Sequence, residues 1–232
     1  MDFSIRSYKK ELLDRDDIPF DAIKKNMEEL EFINKYLGGH SITIEGFKQL
    51  FKNKKEITVC EIGCGGGDNL FAIHKWCKKK NIKAKFIGID VNPDCILFAN
   101  SKSQSSNFKY LTSDYKLINF ENNKPDIIFS SLFCHHFNDK DVEFMLHWMM
   151  KNATIGLFIN DLHRHPFAYH SIKFLTRTFS NSYLVRNDAP LSVLRGFTKK
   201  DWKLILQKTG FQNYSLKWKW AFRWLLVIKH TI

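Results

Sequence analysis

Between residues 57 and 159 the chain repeats one unit: a short apolar, β-branched run, a turn, then a segment of helical period. The apolar runs fall at 57–60, 86–89, 108–111, 126–129 and 155–159. Helical patterns occupy 69–80, 92–101 and 139–150. Runs without polar alternation belong to strands buried on both faces, and strands that alternate with helices pair in parallel. The spacing therefore predicts an open α/β sheet covered on both sides.

The flanks differ. Residues 1–52 read as helical: Ile23, Met27, Leu30, Ile33 and Leu37 recur at three or four residues, Asp21 is placed to cap them, and Gly38-Gly39 to stop them. A short second helix is expected at 44–51. Residues 162–196 break the strand–helix rhythm as an insertion, with Ala168, Ile172, Leu175 and Phe179 on one helical face and 186–197 as a polar-then-apolar loop. Thr198 then caps a helix that Gly210 ends, and two aromatic-rich strands close the chain near 214–218 and 224–229. The expected division is a helical cap over 1–52 and a main domain over 53–232, with 162–196 as a lid.

The first strand runs straight into glycines: Val59-Cys60-Glu61-Ile62-Gly63-Cys64-Gly65-Gly66-Gly67-Asp68. Glycine permits the tight turn and close ligand approach. A dinucleotide fingerprint would need glycine at position 68, where this chain has aspartate, and a carboxylate at a helix N-terminus repels a pyrophosphate. A phosphate-free, cationic cofactor suits it better.

With that turn the sequence resembles the class I S-adenosylmethionine-dependent methyltransferases over about 55–160, and more loosely over 197–229. The resemblance implies a Rossmann-like fold: a mostly parallel seven-stranded sheet with helices on both faces, an N-terminal helical cap and a helical lid after strand five. It implies S-adenosyl-L-methionine as cofactor, with Glu61, Gly63, Cys64, Gly65 and Gly67 forming the first motif. Asp90, in Gly88-Ile89-Asp90-Val91-Asn92-Pro93, takes the place of the ribose-binding carboxylate. Ser113-Asp114-Tyr115 takes that of the adenine turn, with Val91 and Tyr115 covering the ring, and Ser130 closes the fourth strand beside them. Ligands of open α/β sheets bind at these carboxyl ends of strands.

Catalytic candidates follow strands four and five. Ser130-Ser131-Leu132-Phe133-Cys134-His135-His136 offers two histidines able to accept a hydroxyl proton. Asn160-Asp161-Leu162-His163-Arg164-His165 is the densest polar cluster, with Asp161 placed to orient His163 or hold the substrate and Arg164 to pair with an acceptor's carboxylate or phenolate. The expected reaction is O-methylation of a small hydroxylated aromatic or polyketide-like acceptor. The 186–197 segment resembles one in bacterial methyltransferases associated with type III polyketide synthases. Ring C-methylation of a quinone-type precursor is the alternative. An RNA methyltransferase and a non-catalytic cofactor-binding protein rank below both.

Composition narrows the partners. The chain carries 36 Lys and Arg against 24 Asp and Glu, a net charge of +12. Only seven of the 36 are arginine, the preferred phosphate fork, so nucleic acid is disfavoured as partner. Four of those arginines (Arg164, Arg177, Arg186, Arg195) fall in the insertion, which suggests a basic lid for an acidic or phenolate-forming acceptor, or one held at a membrane surface. No run of eighteen apolar residues and no apolar N-terminal leader is present in the sequence, and a cytoplasmic location is expected. Five cysteines lack paired metal-site spacing, so no metal is expected, and Cys134-His135-His136 alone does not supply a site.

Overall fold

The computed structural model describes residues 2–230 except Asp16, Gln104 and Asn122. Seven strands form one sheet in the order β3-β2-β1-β4-β5-β7-β6. They are β1 (Glu56–Ile62), β2 (Lys83–Asp90), β3 (Phe108–Thr112), β4 (Ile127–Ser131), β5 (Gly156–Leu162), β6 (Tyr214–Lys219) and β7 (Arg223–Lys229). The first five are parallel; β7 runs antiparallel between β5 and β6, so the sheet is mixed.

Eight helices accompany them among the described residues: α1 (Phe20–Tyr36), α2 (Gly39–Leu50), α3 (Asp68–Lys79), α4 (Pro93–Lys102), α5 (Asp139–Asn152), α6 (Pro166–Phe179), α7 (Tyr183–Arg195) and α8 (Lys199–Thr209). One face of the sheet packs Cys60, Ile128 and Leu226 against Met145 and Met149 of α5 and Trp202 of α8. The other packs Val59, Phe129, Phe158 and Leu225 against Phe47 of α2 and Ile73 of α3. Consecutive residues such as Val59 and Cys60 face opposite layers, which is why the strands read as unbroken apolar runs. No helix among the described residues is long and apolar enough to cross a membrane.

Several boundaries differ from the sequence reading. Helix α1 is entered through Pro19, not capped by Asp21, which sits in its first turn. Gly38, in left-handed backbone at φ 82°, caps the start of α2, so that helix begins five residues before the expected position. The expected 186–197 loop is mostly helix: α7 starts at the Ser182 cap and runs through Pro190 to Arg195. Proline forfeits one helical hydrogen bond and reads as a breaker. Burial of Leu184, Val185 and Val193 holds the helix through it.

The N-terminal segment and the insertion pack on each other at the carboxyl ends of the strands. Asp188 of α7 accepts from the backbone N–H groups of Leu12 and Leu13 at 2.8 and 3.0 Å, fixing a short 3-10 turn, Leu12–Asp14. Glu29 of α1 accepts from the N–H groups of Asn181 and Ser182, both at 3.0 Å. Arg6 donates to the Arg195 carbonyl at 3.0 Å and pairs with Asp139 at 2.6 Å.

Candidate active site

The glycine turn after β1 adopts the conformation its residues allow. Gly63, at φ 65°, lies against the Phe133 ring, which a Cβ there would meet at 2.2 Å. A side chain at that position would be both strained and in collision. Asp90, at the end of β2, accepts from the Gly65 N–H and the Asn92 N–H, both at 2.9 Å. One carboxylate thus ties the turn to the neighbouring strand. Burial raises the Asp90 pKa, and those backbone donors oppose the rise.

Asp68 opens α3 but does not point freely into the turn. It accepts from His40 Nε2 at 2.7 Å and Asn34 Nδ2 at 2.9 Å, so α1 and α2 are anchored on it. Asn34 in turn accepts from Arg223 Nη2 at 2.9 Å. Two buried polar atoms beside this chain have no protein partner: Glu61 Oε2 and Arg223 Nη1. Burial, then the charges of Asp68 and Asp90, pushes the Glu61 pKa well up. Burial lowers the Arg223 pKa to about 10. Buried orphans of this kind are costly and ask for a ligand. An amino-acid zwitterion supplies a donor to the acid and an acceptor to the guanidinium, so the residues present fit the methionyl end of S-adenosylmethionine.

Both orphans line one cavity of about 1340 Å³. Its wall continues from Gly63, Gly65, Asp90 and Val91 to the turn after β4, and is closed by α1, α6 and α7 through residues such as Met27, Leu30, Phe167, Ile172 and Val193. Leu132, a non-glycine residue at φ 53°, turns the chain there. Backbone in that region is held only where its surroundings fix it, and such positions cluster at ligand sites.

His135 and His136 follow on a 3-10 turn, Cys134–His136. His135 Nδ1 lies 2.7 Å from Asp161 Oδ1, and Asp161 Oδ2 accepts from the His135 N–H at 3.2 Å. Burial alone would lower the His135 pKa, but the Asp161 charge and then Glu11 raise it to about 9. Asp161 is fully buried behind the ring, so it holds His135 and does not itself reach the cavity. Arg195 donates to the carbonyls of His135 and His136 at 3.2 and 2.9 Å and fixes the turn.

Two acids that the sequence reading did not single out complete the cluster. Glu11 lies 3.6 Å from His135 Nε2 and 3.7 Å from His136 Nε2, and Asp14 lies 3.3 Å from His136 Nδ1. They sit in an N-terminal stretch without periodicity or motif, some 120 residues before the histidines, so nothing local signalled them.

Other expected site residues lie elsewhere. His163 accepts from Trp218 Nε1 at 3.1 Å, packs against Trp224 and does not line the cavity. Burial, then His165 and Arg164, lowers its pKa to about 4. Arg164 donates to the carbonyls of Phe3 and Ser4 at 2.9 and 3.3 Å and pairs with Asp201 at 3.0 Å, so it is a structural clamp. Arg186 donates to the Ser180 carbonyl at 2.8 Å. The basic lid therefore reduces to Arg195 at the cavity wall: backbone carbonyls of the cover take the Arg164 and Arg186 guanidinium groups, and Arg177 is exposed and does not line the cavity. Ser130 is buried against Cys134 Sγ at 3.3 Å, and Ser131 takes the wall position. Asp114 caps the turn Tyr115–Leu117 by accepting from the Lys116 N–H at 2.9 Å, and the Ser113 N–H donates to the Asp90 carbonyl at 2.9 Å. Tyr115 is buried against Trp148. Residues 113–115 flank the cavity's Asp90 end without forming its wall. Cys64 and Val91 do line it.

This strand order, with a glycine turn after β1 and an acid after β2, is that of the Rossmann-like methyltransferase fold. Residues 53–153 match a family described as a methyltransferase domain. The fold is similar to the plantazolicin methyltransferase in complex with a pentazolic desmethylPZN analog and SAH, with TM-score 0.68, 16% identity and 91% of each chain covered. It is also similar to a SAM dependent methyltransferase from Aquifex aeolicus, with TM-score 0.63, 18% identity, and 92% of this chain and 100% of that one covered. Magnesium protoporphyrin IX methyltransferase from Synechocystis, with bound SAH, aligns at TM-score 0.56 and 14% identity over 86% of this chain and 87% of its own. The methyltransferase-domain match over 53–153 and the shared fold support S-adenosyl-L-methionine as cofactor.

Proposed function

We propose that this enzyme transfers the cofactor's methyl group to the oxygen of a small hydroxylated aromatic or polyketide-like acceptor. The observation that carries this reading is the single cavity running from Gly63 and Asp90 to His135 and His136. Its apolar wall suits a flat acceptor, and its polar end gathers at one point the groups that handle a hydroxyl proton.

In this reading Asp90 accepts from the ribose hydroxyls, while Glu61 and Arg223 hold the amino and carboxylate groups. Gly63, Cys64, Gly65 and Val91 shape the remaining cofactor surface; Gly67, packed against Tyr110 and off the cavity wall, lies behind it with 113–115 and Ser130. Bound cofactor supplies an electrophilic methyl on sulfonium. The protein's contribution is to orient the acceptor oxygen in line with it and to exclude water, which can account for much of the rate. His135, held by Asp161, and His136 stabilise the acceptor's oxygen as it loses its proton. Residues 1–52 act as the cap and 162–196 as the lid, and their mutual packing defines the acceptor's space.

The test is methyl transfer from labelled S-adenosylmethionine to a panel of phenolic polyketides, quinols, a basic peptide and RNA. Label on the phenolic compounds supports the reading. Label only on peptide or RNA, or none on any phenol, removes it.

A further inference from the structure

We propose that Glu11, His135 and His136 form a binding site for one divalent transition-metal ion, in the wall of the cavity that the glycine turn also lines. The metal holds and ionises the acceptor's hydroxyl, so the inference rests on the methyltransferase reading and deepens it.

Three observations carry it. The first is convergence. Single donor atoms of the three residues lie within 4.8 Å of one another, drawn from two parts of the chain. Glu11 Oε1 is 3.6 Å from His135 Nε2, and Glu11 Oε2 is 3.7 Å from His136 Nε2. Those separations exceed a hydrogen bond of about 2.7–3.2 Å. They are close to the spacing of about 3.3 Å between ligands that each stand about 2.0–2.1 Å from a tetrahedral ion.

The second is the outer layer. The opposite ring nitrogens each face a carboxylate: His135 Nδ1 faces Asp161 at 2.7 Å and His136 Nδ1 faces Asp14 at 3.3 Å. A carboxylate on Nδ1 turns the Nε2 lone pair inward, which is how metal-bound histidines are oriented. Ser192 Oγ donates to Glu11 at 2.6 Å and fixes its carboxylate.

The third is charge. Metal ligation requires both imidazoles neutral; Glu11, Asp14 and Asp161 then set three carboxylates around them, and Arg195, 3.9 Å from Glu11 and 3.5 Å from Asp14, brings one positive charge. A dication balances the remainder. Two nitrogens and one carboxylate suit Zn²⁺, Co²⁺, Fe²⁺ or Mn²⁺ more than Mg²⁺ or Ca²⁺.

Three protein ligands leave coordination positions open to the cavity that these residues line. An acceptor hydroxyl bound there loses its proton to solvent, as metal-bound water does near neutral pH. Its oxygen then forms the bond to the methyl carbon while the carbon–sulfur bond breaks, and that electron pair stays on sulfur, giving S-adenosylhomocysteine.

The experiment is a Co²⁺ titration of chelator-treated protein followed by visible absorption, with Zn²⁺ competition and S-adenosylhomocysteine calorimetry on the same samples. The expected result is one Co²⁺ per chain with ligand-field bands, displaced by Zn²⁺. Glu11→Gln and His136→Asn should abolish the bands, and Asp14→Asn should weaken binding about 10–100-fold, all with circular dichroism and S-adenosylhomocysteine affinity retained. No stoichiometric Co²⁺ in wild-type protein that still binds S-adenosylhomocysteine overturns the metal site alone. So do bands unchanged in Glu11→Gln and His136→Asn. Loss of S-adenosylhomocysteine binding in the wild type would instead overturn the cofactor reading. If either ligand variant misfolds, Asp14→Asn decides: unchanged Co²⁺ affinity there overturns the site.

Discussion

Replacing Asp90 with asparagine tests the cofactor site at its most connected residue. Asp90 accepts one backbone N–H on each carboxylate oxygen, from Gly65 and from Asn92, both at 2.9 Å. Each oxygen keeps a second lone pair, and those two lone pairs are what a ribose diol requires. Asparagine has one acceptor oxygen. Whichever way its amide is turned, an NH₂ group faces either the Gly65 or the Asn92 N–H, and one charge-assisted bond to the ribose is lost. Such a bond contributes about 1.5–3 kcal/mol. Affinity for S-adenosylhomocysteine should therefore fall about 10–150-fold in calorimetry. The carboxylate must be ionised to accept from both hydroxyls, and burial raises its pKa. Wild-type affinity should thus be complete above that raised pKa and fall as pH drops through it, while Asp90→Asn loses that dependence. An affinity within threefold of wild type, with the thermal transition intact, would refute the assignment of Asp90 to the ribose.

Three further outcomes follow from the same geometry. Gly63→Ala places a Cβ 2.2 Å from the Phe133 ring on backbone at φ 65°, so S-adenosylhomocysteine affinity should fall more than tenfold and thermal stability by about 1–2 kcal/mol from the backbone alone. Arg223→Met removes the unpartnered Nη1, so affinity for S-adenosylhomocysteine should fall at least tenfold, while its decarboxylated analogue binds wild type and variant alike. The His163 pKa is lowered from 6.5 to about 4, so between those values only the unfolded chain takes up the proton. Stability should therefore fall with decreasing pH across that window by up to about 1.4 kcal/mol per unit, and His163→Gln should flatten the fall in urea titrations with methyl transfer unaffected.

The parallel core and the glycine turn were legible because local rules determine them. The runs at 57–60 and 126–129 have the composition of strands buried on both faces, and the turn Gly63–Gly67 needs left-handed backbone that glycine provides. The acceptor end was half legible. His135 and His136 follow β4, as their position implied, and Asp161 orients a histidine, but that histidine is His135 and not its near neighbour His163. His163 lies just past the end of β5 and is taken by Trp218, while the turn Cys134–His136 sets His135 on Asp161, so sequence proximity misassigned the pair. Glu11 and Asp14 were invisible because their role exists only once α7, through Asp188, draws the N-terminal turn across the strand ends. Arg164 looked like a free cation, yet a segment 160 residues away consumes it.

The central claim is that one cavity brings the cofactor's methyl group to an acceptor oxygen. It is tested most directly by turnover with S-adenosylmethionine carrying a ¹³C-methyl group and a phenolic acceptor, with the product read by carbon NMR. The account predicts enrichment in the methoxy region, strongly reduced in Asp90→Asn. Enrichment at a ring carbon, or unchanged turnover in Asp90→Asn, would contradict it.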